Sequence, residues 1–119
     1  MKEEAAPDLR VRTREFALRI VRMSTSLPRT KEAFILGQQV LKSGTSIGAN
    51  YREAQRARSK AEFVAKIGDC LKEADETLYW LELLTETKIL PAKRFEGLIQ
   101  ETNELLAILT TISKRAKAS

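Results

Sequence analysis

The chain has 119 residues, of which 43% are apolar and 31% charged, and its formal net charge is +5. That length fits one domain with a single modest core, and the composition excludes a disordered tail or a membrane-embedded chain. With no histidine and one cysteine, Cys70, the chain has no internal disulfide, no histidine general base, no Cys-His or Ser-His-Asp nucleophile and no zinc site.

Residues 1–16 lack the apolar stretch of a secretory leader, and no run approaches the roughly eighteen apolar residues of a spanning helix. A cytoplasmic chain without membrane contact is expected, with residues 1–7 and 116–119 flexible around one domain.

The first helix is expected over about 8–27. Leu9, Phe16, Ile20, Met23 and Leu27 recur at three- and four-residue steps, with Thr13 filling the one polar step. Pro7 and Asp8 suit its start, and Ser26 and Pro28 its stop. A second helix follows over about 30–57, capped by Thr30, with a seam of Ala33, Gly37, Val40, Gly44, Ile47 and Tyr51. Its glycines each cost about 0.5–1 kcal/mol of helix stability relative to alanine. A bend near Gly44–Gly48 is therefore expected, or even a break that makes five helices.

Ser59-Lys60-Ala61-Glu62 reads as a capping box, with Ser59 accepting an early amide and Glu62 reaching back to the cap. The third helix extends from it over 59–88, with Phe63, Ile67, Cys70, Ala74, Thr77, Leu81 and Leu84 as its seam. Val64, Leu71, Leu78, Trp80 and Leu83 widen that surface, which favours contacts on more than one side. Pro91 suits the first turn of a last helix over 91–115, whose inward face is Leu98, Thr102, Leu105, Leu109 and Ile112. The short joins favour antiparallel neighbours, so the fold class is all-α, an up-down-up-down four-helix bundle.

Charge is unevenly placed. Arg10 to Lys60 holds twelve basic residues against Glu15, Glu32 and Glu53, whereas Glu73 to Glu104 holds eight acids against Lys88, Lys93 and Arg94. Such asymmetry creates a signed surface that can steer a polyanion, pair with an acidic protein or align one copy of the chain against another, while solvation alone explains much of the Arg and Lys content.

The segment Ser43-Gly44-Thr45-Ser46-Ile47-Gly48-Ala49-Asn50-Tyr51-Arg52-Glu53-Ala54, followed by Arg58-Ser59-Lys60-Ala61-Glu62-Phe63, resembles the signature of one family. These are the four-helix-bundle proteins encoded by intervening sequences of bacterial 23S ribosomal RNA genes. The likeness continues through Cys70-Leu71-Lys72-Glu73-Ala74-Asp75-Glu76-Thr77 and the apolar run at Trp80–Leu84. With the opening helix containing Phe16 and Ala17, it covers most of residues 9–115. It implies an antiparallel bundle that assembles as a homopentamer with a basic outer or pore-facing surface. A related branch, the accessory proteins of diversity-generating retroelements, partners a reverse transcriptase. The resemblance brings no established activity; nucleic-acid binding is the usual suggestion. The chain departs from the pattern at Gly48, where many relatives carry proline, and at Tyr51 and Ala54.

Candidate residues fall into three groups. Arg52, Arg56, Arg58, Lys60 and Lys66 form the densest basic neighbourhood, and Arg10, Arg12 and Arg14 a second patch, joined by Lys114, Arg115 and Lys117 at the same end of a bundle. Guanidinium forks match phosphate oxygens, so both patches are candidates for RNA or DNA backbone contact. Asn50, Glu53 and Glu73 are candidate structural polar groups, because a polar side chain inside a bundle needs a partner; for Asn50 that partner is either backbone released at the bend after Gly48 or Glu73 of the antiparallel helix. Tyr79, Trp80 and Leu83 are candidates for the core or for an oligomer interface. Cys70 reads as an inert buried thiol. No catalytic residue, metal or cofactor is called for: the carboxylates lack the histidines that a di-iron bundle uses. The expected function is a non-enzymatic, self-associating module for nucleic acid. The alternative is a protein-interaction scaffold that recruits a partner such as a reverse transcriptase without touching nucleic acid.

Overall fold

Three of the four helices start where a side-chain oxygen takes up early amides that have no partner within the helix. The structure is a computed structural model and describes residues 8–119. The expectation about residues 1–7 lies outside them. In α1, Leu9–Thr25, the amides of Arg10 and Val11 donate to the Asp8 carboxylate at 3.0 and 3.4 Å. In α2, Lys31–Gln55, the Ala33 amide donates to Thr30 Oγ1 at 3.1 Å. In α3, Lys60–Glu86, the Glu62 amide donates to Ser59 Oγ at 3.0 Å. The Glu62 carboxylate accepts from the amide of Arg58 at 3.2 Å, one residue before the cap on which the expected reciprocal bond falls.

In α4, Lys93–Ala118, backbone carbonyls replace a side-chain cap. Arg94 and Phe95 donate to the oxygens of Pro91 and Ala92, both at 2.9 Å, so Pro91 stands just ahead of the helix rather than in its first turn. The helix also continues past the expected end near residue 115. The Lys60 ammonium reaches across from the start of α3 and donates to the carbonyl of Lys117 and to a Ser119 backbone oxygen, satisfying acceptors at the end of α4. At the α3–α4 corner Lys88 has φ 59°, a left-handed conformation that glycine adopts more readily.

The helices close as the sequence pattern implies, each packed antiparallel against its chain neighbour, with α4 returning to α1 along a thinner seam. Phe16, Ile20, Val40, Ile47, Ile67, Leu81, Leu84, Phe95, Leu105 and Leu109 form the centre, each 1% exposed or less. α2 is one unbroken helix, so the five-helix alternative does not hold. Gly44 and Gly48 face α1. A Cβ on Gly44 would lie 2.9 Å from Ile20 Cγ1, and one on Gly48 would lie 3.1 Å from Thr13 Oγ1. Close approach of two backbones, rather than a chain break, accounts for this glycine-rich stretch.

Buried polar groups are satisfied locally. Thr13 donates to the Leu9 carbonyl at 2.6 Å and Thr102 to the Leu98 carbonyl at 2.7 Å. The Thr77 hydroxyl lies 2.8 Å from the Glu73 carbonyl oxygen and 2.9 Å from Ser43 Oγ, linking α3 to α2. Cys70 is fully buried, and desolvation, followed by the nearby Asp69, pushes its thiol up to about 12. A thiol so rarely ionised is the inert core group expected. No described helix is long and apolar enough to cross a membrane.

Candidate nucleic-acid interface

Antiparallel order brings the start of α1, the end of α2, the start of α3 and the end of α4 to one end of the bundle. Two basic surfaces meet there. Arg10, Arg52, Gln55 and Arg56 line a cavity of about 430 Å³. A neighbouring groove between α1 and α2 shares Arg10 and Arg52 and adds Arg14, Ala17, Gly48 and Ala49. The four-residue spacing of Arg10 and Arg14, and of Arg52 and Arg56, sets each pair on one helical face, about 6 Å apart along the axis. The same glycine that lets the helices approach leaves the groove free of bulky side chains. Among the described residues, no carboxylate lies within ion-pair distance of Arg10, Arg14, Arg52 or Arg56.

The other basic candidates sit differently. Arg12 turns to α4, where its Nε donates to Glu101 Oε2 at 2.6 Å and its Nη2 to Glu101 Oε1 at 2.9 Å and Glu104 Oε1 at 2.5 Å. These bonds raise its guanidinium pKa further, chiefly through Glu101. Lys66 donates to Glu53 at 2.6 Å, and Lys60 is engaged at the end of α4. Arg58 is exposed at the α2–α3 corner, and Lys114, Arg115 and Lys117 are exposed on the last turns of α4. Four arginines far apart in sequence therefore converge from the start of α1 and the end of α2. Gln55 was not singled out by sequence; its only signal is its position on the helical face between Arg52 and Arg56.

Of the polar candidates, Glu53 is tied to α3 through Lys66. Asn50 is half-buried, and among the described residues no hydrogen bond joins it to Glu73. Glu73 is half-buried on α3, and desolvation, then the like charge of Glu76, hold its carboxyl above the usual range. A raised carboxyl pKa penalises the folded state only once the group ionises, so the penalty is absent at low pH and grows as pH rises through the carboxylate range. Glu73→Gln is accordingly expected to raise the melting temperature by about 1–2 °C at pH 7 and to leave it unchanged near pH 3. Thermal unfolding followed by circular dichroism at the two pH values checks this; an equal shift at both excludes ionisation as the cause.

Tyr79 is 54% exposed and meets Trp80 edge to face, with ring centroids 5.0 Å apart. Trp80 is half-buried against the core and Leu83 is half-buried on the same helix, so the strip is partly core and partly surface. Phe34, 64% exposed on α2, is a further uncovered aromatic outside the predicted strip. Among the described residues no cluster of acidic or cysteine side chains is suited to a metal ion.

The arrangement defines a small antiparallel four-helix bundle with an arginine-lined groove at one end. Residues 8–111 match the model of the 23S rRNA-intervening sequence protein family, and the chain belongs to that family. Among solved structures it is similar to a protein with unknown function from the S23 ribosomal protein family of Bacteroides thetaiotaomicron VPI-5482. The two are 42% identical and superpose with a TM-score of 0.84, covering 89% of this chain and 98% of that one. No curated protein matches the chain.

Proposed function

We propose that the chain is a non-enzymatic, oligomeric helical module that associates with RNA or another nucleic acid through the α1–α2 basic surface. The observation that carries this reading is the convergence of Arg10, Arg14, Arg52 and Arg56 on adjoining cavities, with no carboxylate partner among the described residues. Guanidinium forks in that state present donors suited to phosphate oxygens. No aromatic side chain lines either cavity, so the contact is with the sugar–phosphate backbone rather than with stacked bases. The family is named for the intervening sequences of 23S rRNA, and structured RNA is therefore the first probe. Exposed Tyr79 and Phe34 supply apolar contacts through which copies would associate and repeat the basic surface, adding avidity.

Binding of structured RNA, duplex DNA and single strands is measured by fluorescence anisotropy between 50 and 200 mM salt. If four phosphates are neutralised, log affinity falls against log salt with a slope of about −3 to −4. Arg10→Gln/Arg52→Gln/Arg56→Gln should flatten that slope by about 2–3 and lower affinity at least tenfold with the helical spectrum intact. Unchanged affinity overturns the reading. Sedimentation of the same samples reads assembly, and a monomer throughout removes the avidity element. The exposed aromatics also favour a second reading, a protein-binding scaffold. Partner binding would then survive the arginine substitutions and fail with Tyr79→Ala.

A further inference from the structure

We infer that the cavity lined by Arg10, Arg52, Gln55 and Arg56 is a subsite for a terminal phosphate of a nucleic-acid strand, with the α1–α2 groove taking the chain that follows. This deepens the nucleic-acid reading and depends on it.

Charge separates a terminal phosphate from an internal one. Three guanidinium groups line the cavity. The Asp8 carboxylate, two residues before Arg10, offsets one of them, while its oxygen is already committed to the first amides of α1. The positive start of α1 and the negative end of α2 carry about half a charge each and cancel. Glu53 lines the adjoining groove, but its carboxylate is balanced by Lys66 at 2.6 Å. Among the described residues, about two positive charges therefore remain at the cavity. An internal phosphodiester, with one negative charge, would leave one of these uncompensated. A terminal phosphomonoester carries about −1.5 to −2 at neutral pH, with three strong acceptor oxygens, and matches both the charge and the number of forks.

Size and lining point the same way. A volume of about 430 Å³ admits a phosphate together with its sugar. Gln55 adds a neutral carboxamide able to donate to a phosphate oxygen or to a sugar hydroxyl. The cavity lies at the end of the bundle and the groove runs inward from it along α1 and α2, past Arg14 and over Ala17, Gly48 and Ala49. A strand seated by its end in the first would continue along the second.

The test uses one single-stranded RNA sequence in three forms, with a 5′-phosphate, with a 3′-phosphate and with hydroxyls at both ends, each competing against the same labelled RNA at fixed salt. One phosphorylated form is expected to bind about tenfold more tightly than the hydroxyl form, the gain from an added charge-assisted contact. Arg52→Gln/Arg56→Gln should abolish that preference. Arg14→Gln, outside the cavity, should weaken all forms alike and preserve it. Equal affinity of the three forms overturns the subsite while leaving the nucleic-acid reading intact. A preference that survives Arg52→Gln/Arg56→Gln also overturns it. Failure of every form to bind overturns the subsite, and the nucleic-acid reading falls with it only if structured RNA and duplex DNA fail as well.

Discussion

Gly44→Leu is expected to destabilise the bundle by about 3 kcal/mol or more, a large share of the 5–15 kcal/mol that holds a typical domain together. The reason lies in the α1–α2 seam. Even a single methyl at Gly44 would stand 2.9, 3.1 and 3.2 Å from three carbons of Ile20, a side chain with no exposed surface. Leucine adds three more carbons, which no rotamer can move clear of the seam, so the helices must part and Ile20 loses packing. Helix propensity pulls the other way by only about 1 kcal/mol. Gly68 is the control: it is exposed on α3 and a Cβ there would meet nothing within 4 Å. Gly68→Ala should therefore stabilise by about 0.5–1 kcal/mol. Urea unfolding of both variants checks the pair of signs; destabilisation by both would show that the glycines act otherwise than through the space they leave.

Features governed by local chemistry were legible in the sequence. Asp8, Thr30 and Ser59 cap the helices that they precede, and the buried positions of α1 include the expected Leu9, Thr13, Phe16, Ile20 and Met23. Features that depend on two distant segments were not. α4 runs to Ala118 with the Lys117 carbonyl accepting from Lys60, and no pattern near residue 115 announces a lysine arriving from another helix. The glycines of α2 carry a helix penalty, and their packing reason shows only when Ile20 and Thr13 are seen opposite them. Arginine clusters were visible as composition. Spacing along one helix grouped Arg12 with Arg10 and Arg14, but whether each guanidinium meets a carboxylate is settled by the facing helix. The site thus became defined only when α1 packed on α2 at one side and on α4 at the other.

Arg12 turns that distinction into a measurement. Its guanidinium joins α1 to α4 at their thinner seam, with Nε 2.6 Å from Glu101 and Nη2 2.5 Å from Glu104. Arg12→Gln is expected to cost about 1–2 kcal/mol, because it breaks the forked contact and leaves Glu101, whose side chain is only 16% exposed, without its cation. Arg12→Leu/Glu101→Leu should recover most of that loss, since removing both partners avoids a half-buried unpaired charge. A coupling energy of about 1 kcal/mol or more in the cycle of Arg12→Leu, Glu101→Leu and the double variant marks a structural pair; a value near zero would assign the contact to the surface. The acid limb gives a second reading. A hydrogen bond from Gln100 and then one from Arg12 hold the Glu104 carboxyl below its usual range. Its contribution is therefore present above the carboxylate range and lost as pH falls through the folded value, opposite in sign to that of Glu73. In Arg12→Gln this acid-dependent loss should shrink. Affinity for nucleic acid should change less than about twofold in that variant, whereas Arg52→Gln/Arg56→Gln should weaken binding without losing stability. The two arginine sets then separate by observable: one is read by stability, and the other, under the proposed function, by affinity for phosphates.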